Sequence, residues 1–361
     1  NISPYIADKH STGGVGDQVT LVLIPVLASL GVYSAKLSGR GLGFTGGTID
    51  KLESIPGFCV ELKNEDFLNQ IKDIKAAISS QSPNLTPADG KIYALRDVTA
   101  TVDNKSLICA SVVSKKIASG ATSIVLDVKY GSGAFLKTVQ EAKELAKLMT
   151  DTAKLLNKNI DVVISSMEQP LGLCVGNALE VIESIEFLKG KYEKDLYEIT
   201  FELAAKTLIN CKIAKDKKEA KELFDSVINN SKALDKLKQI IKAQKGNVEV
   251  IDDYSLFNLG KNIKEIKASK EGYISKLDAL CVAHCAKLLG AGRDKKSDPV
   301  DYGAGVVLSK KIGDYTKKDE TIAQLYFNDL DKERINEAIN EINKAFEISD
   351  NIPNSVELIA K

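Results

Sequence analysis

The ten residues Asp8-Lys-His-Ser-Thr-Gly-Gly-Val-Gly-Asp17 place an ammonium, an imidazole, two hydroxyls and three glycines close together in the chain. Glycine tolerates positive φ and lets backbone N–H groups approach a ligand closely. Hydroxyls, exposed N–H groups and a lysine charge together make a site for an anion. The apolar run 19–30 that follows reads as a helix whose N-terminus faces the same anion. A flexible glycine turn would account for the glycines but not for the density of polar side chains. A second segment repeats the theme: Ser38-Gly-Arg-Gly-Leu-Gly-Phe-Thr-Gly-Gly-Thr-Ile-Asp-Lys-Leu-Glu53. Residues 32–37 before it read as a strand, and Thr48 stands near the cap of a helix with acids in its first turns. The glycine spacing is not that of a dinucleotide-binding turn, and no Gly-Lys-Ser/Thr closes the loop as in a P-loop. Two such loops predict one phosphate-like anion held from two sides.

Both segments resemble the signatures of the thymidine and pyrimidine-nucleoside phosphorylases. The likeness continues, in order, through Leu95-Arg-Asp-Val-Thr-Ala-Thr-Val, Ser111-Val-Val-Ser-Lys-Lys, Leu126-Asp-Val-Lys-Tyr-Gly-Ser-Gly-Ala-Phe and Gln169-Pro-Leu-Gly-Leu-Cys-Val-Gly-Asn-Ala-Leu-Glu, thinning after residue 190. It implies that Lys9, Ser11, Ser38 and Thr48 bind phosphate. Thr20 is a fifth candidate, although a helix hydroxyl can also bond its own backbone. It implies that Arg96, Ser111 and Lys115 recognise the pyrimidine, with Tyr93 and Phe135 flanking the ring. Ser111 and Lys115, four apart, share a helix face. Cations at the ring oxygens would stabilise the departing base as charge develops on it. His10 then serves either as general acid or as an orienting hydrogen-bond donor.

The resemblance carries three further expectations. Some members hold a monovalent cation, potassium, and the matching positions are Gly16, Gln18, Leu171, Cys174 and Glu183, with Gln18 where a threonine is usual. Phe44 stands where a histidine is usual. Lys36 stands where thymidine-specific members tend to carry methionine and broader members lysine, so uridine and thymidine are both expected substrates. The implied reaction is reversible phosphorolysis to a free base and an α-pentose 1-phosphate. Inorganic phosphate is the co-substrate, and no further cofactor is required.

These residues need elements to hold them. The alternation of strand and helix predicts an α/β fold, a large lobe with a mostly parallel mixed sheet flanked by helices, followed by a C-terminal α+β subdomain; the resemblance implies a small all-α lobe in addition. The expected divisions are 1–87, 88–120, 121–260 and 261–361. Residues 99–119 read as helix, 122–128 and 160–165 as buried strands, 141–157 as an amphipathic helix, and 177–245 as helix-rich. Asn247-Val-Glu-Val-Ile, Gly272-Tyr-Ile and Gly305-Val-Val-Leu read as strands, and 332–346 as a last helix. The chain opens at Asn1, seven residues before the first motif. The resemblance implies helices of the small lobe before that point, so truncation is expected, with a homodimer for the complete protein.

Lysines and arginines number 49, as do acids, which argues against a nucleic-acid partner. No apolar run reaches the ~20 residues of a membrane span. The six cysteines sit in apolar contexts and predict reduced thiols in a cytoplasmic enzyme. His284, between Cys281 and Cys285, reads as packing rather than zinc ligation. The rival readings are a thymidine-specific phosphorylase, an AMP phosphorylase-like enzyme, an anthranilate phosphoribosyltransferase-like enzyme and an inactive fragment or binding protein. The phosphoribosyltransferase would need an acidic pair for magnesium pyrophosphate, which is not evident.

Overall fold

A computed structural model describes residues 2–41, 46–80, 86–99, 101, 104–293 and 298–360. Its centre is a five-stranded sheet. In chain order the first elements are β1 (Ile6–Ser11), α1 (Val19–Ser29), β2 (Tyr33–Ser38), α2 (Thr48–Glu53), α3 (Asn64–Ile74), β3 (Ala76–Ser80), α4 (Pro87–Val98), α5 (Lys105–Ala118), β4 (Ser123–Tyr130), α6 (Val139–Leu155) and β5 (Ile160–Ser166). The strands lie in the order β3-β2-β1-β4-β5 and every pairing is parallel. The expected mostly parallel sheet is wholly parallel among the described strands. Each strand is joined to the next through helix, and such crossovers return the chain in the same direction.

The chain order reverses between β1 and β4. In open parallel sheets the crevice at the carboxyl ends of strands around such a switch point is the usual place for a ligand. Here β1 ends at Ser11 and β2 ends at Ser38. β4 is buried along its whole length, as expected of a strand covered on both faces. α1 is apolar on nearly all sides and is buried between the sheet and later helices, against α7 (Asn177–Leu188), α8 (Lys194–Asn210) and α10 (Lys232–Ala243), with α9 (Lys217–Asn229) preceding the last of these. The Gln244 side chain, just past α10, covers the outer edge of β3. It donates to the Ile78 carbonyl at 2.8 Å and accepts from the Ile78 amide at 3.2 Å.

A four-stranded antiparallel sheet contains β6 (Cys174–Val175), β7 (Asn262–Lys267), β9 (Gly305–Leu308) and β11 (Thr321–Phe327), in the order β6-β9-β11-β7. A three-stranded sheet contains β8 (Gly272–Leu277), β10 (Tyr315–Thr316) and β12 (Phe346–Ser349). α11 (Ala279–Ala286) and α12 (Lys332–Ala345) pack on each other beside them. β6 therefore joins a sheet made otherwise of residues beyond 261, so the 174–175 stretch is built into the C-terminal part of the molecule.

Two local expectations change. Residues 248–251 form a 3₁₀ turn rather than a strand, because the Asn247 side chain caps it by accepting from the Glu249 amide at 3.0 Å. The helix expected over 99–119 starts later, at Lys105, where the Asn104 side chain accepts from the Leu107 amide at 3.1 Å.

Candidate active site

Lys9 and Ser11 lie at the end of β1, where they run beside Val125 and Asp127 of β4. The Ser11 hydroxyl donates to Asp17 Oδ2 at 2.6 Å and accepts from the Gly13 amide at 3.2 Å. Lys9 is buried, with its Nζ 3.7 Å from Asp17 Oδ1 and 3.9 Å from Asp127 Oδ2. Burial lowers the Lys9 pKa, partly offset by those two carboxylates. Burial would raise the Asp17 pKa, but Lys9, Lys129 and Lys51, with the Ser11 hydroxyl, outweigh it and hold the carboxyl well below its usual range. A second carboxylate, Asp127, pairs with Lys129 at 2.8 Å and accepts from Ser165. The end of β1 is thus a buried, pre-set array of alternating charge.

Ser38 and Thr48 stand at the two ends of the second loop. Gly47 explains how those ends meet: a Cβ there would lie 2.1 Å from the Gly41 nitrogen and 2.4 Å from the Arg40 carbonyl carbon. Gly47 takes the cap position and Thr48 the first helical one. Asp50 ties the loop down, accepting from the Gly41 amide at 2.6 Å and from Arg293 at 2.9 Å. Gly46 and Gly16 share a cleft with Gly176 and Glu180 at the start of α7. Thr20 is buried in the first turn of α1. Phe44 lies outside the described residues.

The candidate base-binding pair lies on α5. Lys115 Nζ donates to Ser111 Oγ at 3.0 Å, as the four-residue spacing predicts, and pairs with Asp89 of α4 at 3.0 Å. Tyr93 and Arg96 both fall on α4, which packs against α5. Their side chains lie outside the description. Phe135 is half-buried in the loop after β4. The neighbouring Lys116 reaches Asp8 Oδ2 of β1 at 2.8 Å, so α5 is anchored to the strand that carries Lys9. Lys36 turns inward. Its Nζ donates to the Lys9 carbonyl at 2.6 Å and lies 3.8 Å from Asp8 Oδ1. Burial and the nearby Lys116 push its pKa down to about 7. His10 is half-buried, and burial together with Lys116, Lys36, Lys115 and Lys9 keeps its pKa well below the ordinary value.

The third cluster joins distant segments. Gly16 has φ +66°, and a Cβ there would be 2.5 Å from the Leu171 carbonyl oxygen and 3.0 Å from that of Cys174. Glu183 accepts from the Leu173 amide at 2.7 Å, from the Cys174 amide at 3.0 Å and from the Gln18 side-chain amide. Burial lifts its pKa to about 7 despite those bonds. Gln18 Oε1 is buried with no hydrogen-bond partner among the described residues. Backbone carbonyls, an orphaned amide oxygen and one carboxylate form a hard-oxygen donor set. Among the described residues no group of three His, Cys, Asp or Glu side chains converges for a metal.

Sequence reasoning missed the supporting charges: Asp17, Asp127, Lys129, Lys116 and Lys51. Asp127 and Lys129 carried a signal, since charges inside the apolar run 123–130 are almost never buried unless paired; Asp17, Lys51 and Lys116 stand among polar or glycine neighbours and carried none.

Residues 3–234 match the family model for the a/b domain of the glycosyl transferase family, and residues 273–349 match the pyrimidine nucleoside phosphorylase C-terminal domain. The chain is 49% identical over 321 residues to the pyrimidine-nucleoside phosphorylase of Geobacillus stearothermophilus, covering 89% of this chain and 74% of that protein. It is 47% identical over 335 residues to that of Bacillus subtilis (strain 168), covering 93% of this chain and 77% of that protein. The crystal structure of anthranilate phosphoribosyltransferase from Thermus thermophilus superposes with a TM-score of 0.50 at 15% identity, over 68% of this chain and 79% of that one, which relates the folds. With both family models and this level of identity along most of its length, the chain belongs to the pyrimidine-nucleoside phosphorylase family.

Proposed function

We propose that this chain catalyses the reversible phosphorolysis of pyrimidine nucleosides. The observation that carries the reading is the meeting of two anion loops at the ends of β1 and β2, with α5 anchored to β1 through Asp8 and Lys116. Phosphate held by Lys9, Ser11, Ser38 and Thr48, with Thr20 close by, attacks C1′ from the face opposite the base. The C1′–N1 bond breaks with its electron pair going to the ring nitrogen, and the proton of hydrogen phosphate ends on the base. The products are the free pyrimidine and an α-pentose 1-phosphate. Arg96, Ser111 and Lys115 take the developing ring charge, and His10, neutral before phosphate arrives, orients the ring oxygen or relays that same proton to it. A fixed array of this kind stabilises charge without reorganising during the reaction.

Potassium bound by the oxygens around Gly16, Gln18, Leu171, Cys174 and Glu183 would fix the 171–174 turn against the first anion loop. A melting temperature that rises with potassium chloride but not with equal sodium chloride supports this assignment; equal responses overturn it. The family resemblance at Lys36 supports acceptance of both uridine and thymidine. A cytoplasmic homodimer is the acting form we propose, checked by sedimentation of the purified protein.

The deciding assay follows ultraviolet absorbance as uracil leaves uridine and thymine leaves thymidine. Release of both bases that requires phosphate is expected. Release of thymine alone would overturn the broad specificity, and release without phosphate would overturn the reaction.

A further inference from the structure

Lys51 is among the most deeply buried side chains of the molecule, at 1% exposure, and none of the roles above uses it. It lies on α2, one turn after Thr48. Its Nζ meets Glu180 Oε2 of α7 at 2.6 Å and donates to the Asp17 carbonyl at 2.8 Å. Gly46 of the second loop lies directly above it, since a Cβ there would come within 3.6 Å of the ammonium. Glu180 is itself fixed, its Oε1 accepting from the Gly176 amide at 3.1 Å.

Burying an ion pair seldom stabilises a fold more than well-packed apolar side chains would. What this pair supplies is geometry. The ammonium grips the backbone of Asp17, and the Asp17 carboxylate accepts from Ser11 at 2.6 Å and faces Lys9 at 3.7 Å. The same side chain ties down the helix that begins with Thr48. One buried ammonium therefore connects the first anion loop, the second anion loop and α7. We infer that Lys51 is a positioning residue for phosphate, holding the Lys9–Ser11 loop and the Thr48 loop in register through Asp17 and Glu180. The inference rests on the phosphate site proposed above.

The test uses the double variant K51M/E180Q, which removes both charges at similar volume and leaves no buried charge unpaired, with E180Q alone, which keeps the Lys51 bond to the Asp17 carbonyl, as a second variant. First, the unchanged protein must release uracil from uridine in a phosphate-dependent manner; failure there refutes the site reading itself. Given that activity, K51M/E180Q is expected to raise the KM for phosphate about tenfold or more, the order expected for losing a charged hydrogen bond. The KM for uridine should stay within about twofold, because α5 is not touched. The rise in melting temperature produced by phosphate should shrink in parallel, and E180Q should fall between. Unchanged phosphate KM and unchanged phosphate stabilisation would overturn the inference. So would a rise of both KM values together with a lower melting temperature, the mark of a general packing role.

Discussion

His10 shows how strongly neighbours decide what a side chain can do. An imidazole alone titrates near neutral pH, but this one is half-buried among Lys116, Lys36, Lys115 and Lys9, and its pKa falls well below the ordinary value. The imidazole is expected to be neutral throughout the neutral range in the free protein. The sign for stability follows: the unfolded chain takes up a proton below about 6.5 while the folded one does not, so this contribution is present above that pH and is lost below it. With two histidines in the chain, the His10 proton resonances can be assigned by comparison with H10Q. A free-protein midpoint below the ordinary value is expected, and an upward pKa shift is expected once phosphate supplies negative charge nearby. A free-protein midpoint above 6.5 would refute this. Lys36 illustrates the same principle. Its ammonium is committed to the Lys9 carbonyl and Asp8, so any effect on a bound pentose would come through the strand that carries Lys9.

At the scale of elements, the second glycine loop closes because its stems touch. Gly47→Ala would drive a methyl into the backbone at Gly41, and backbone cannot swing aside as a flexible side chain can. Phosphate-dependent turnover is expected to fall by about tenfold or more, the counterpart of ~1–3 kcal/mol of overpacking strain. Gly39→Ala meets no atom of the described residues within 4 Å and serves as the control, with activity expected to stay near that of the parent. If both variants behave alike, the close approach at Gly47 has no functional weight. Helix α6 gives a purely structural counterpart. Thr138 accepts from the Glu141 amide and Glu141 reaches back to the Thr138 amide, a complete capping box. Thr138→Ala is expected to cost about 1 kcal/mol in denaturant unfolding without altering the KM for phosphate.

At the scale of the whole molecule, segments far apart in sequence meet around the candidate cation site. The turn carrying Leu171 is held from the C-terminal part by Lys311, whose Nζ donates to the Gly172 carbonyl at 2.7 Å and pairs with Asp195 at 2.8 Å. Above this turn Glu183 has a pKa of about 7, raised by burial. A carboxyl raised in the folded state binds its proton more tightly there. Its stabilisation is fully present below about 4.5 and is lost as pH rises through 7. A cation takes the ionised form, so its binding releases that proton and strengthens as pH rises. The potassium-induced gain in melting temperature is therefore expected to be larger at pH 8 than at pH 6. An equal gain at both values would remove Glu183 from the site.

What could be read without a structure was local. The two glycine and hydroxyl loops, the Ser111–Lys115 spacing and the alternating strands and helices each lie within a short stretch, where backbone sterics and periodicity act directly. The cation positions were named by resemblance, and only the folded chain brings Gly16 against Leu171 and Cys174. The tertiary structure alone decided that β6 belongs with β9, that residues 248–251 curl into a turn and that Lys116 anchors α5 to β1. It alone revealed Lys51 between Asp17 and Glu180. Those facts depend on which distant groups meet once the core closes. A buried charge is tolerated only where its partner arrives, and no local pattern states where that partner will come from.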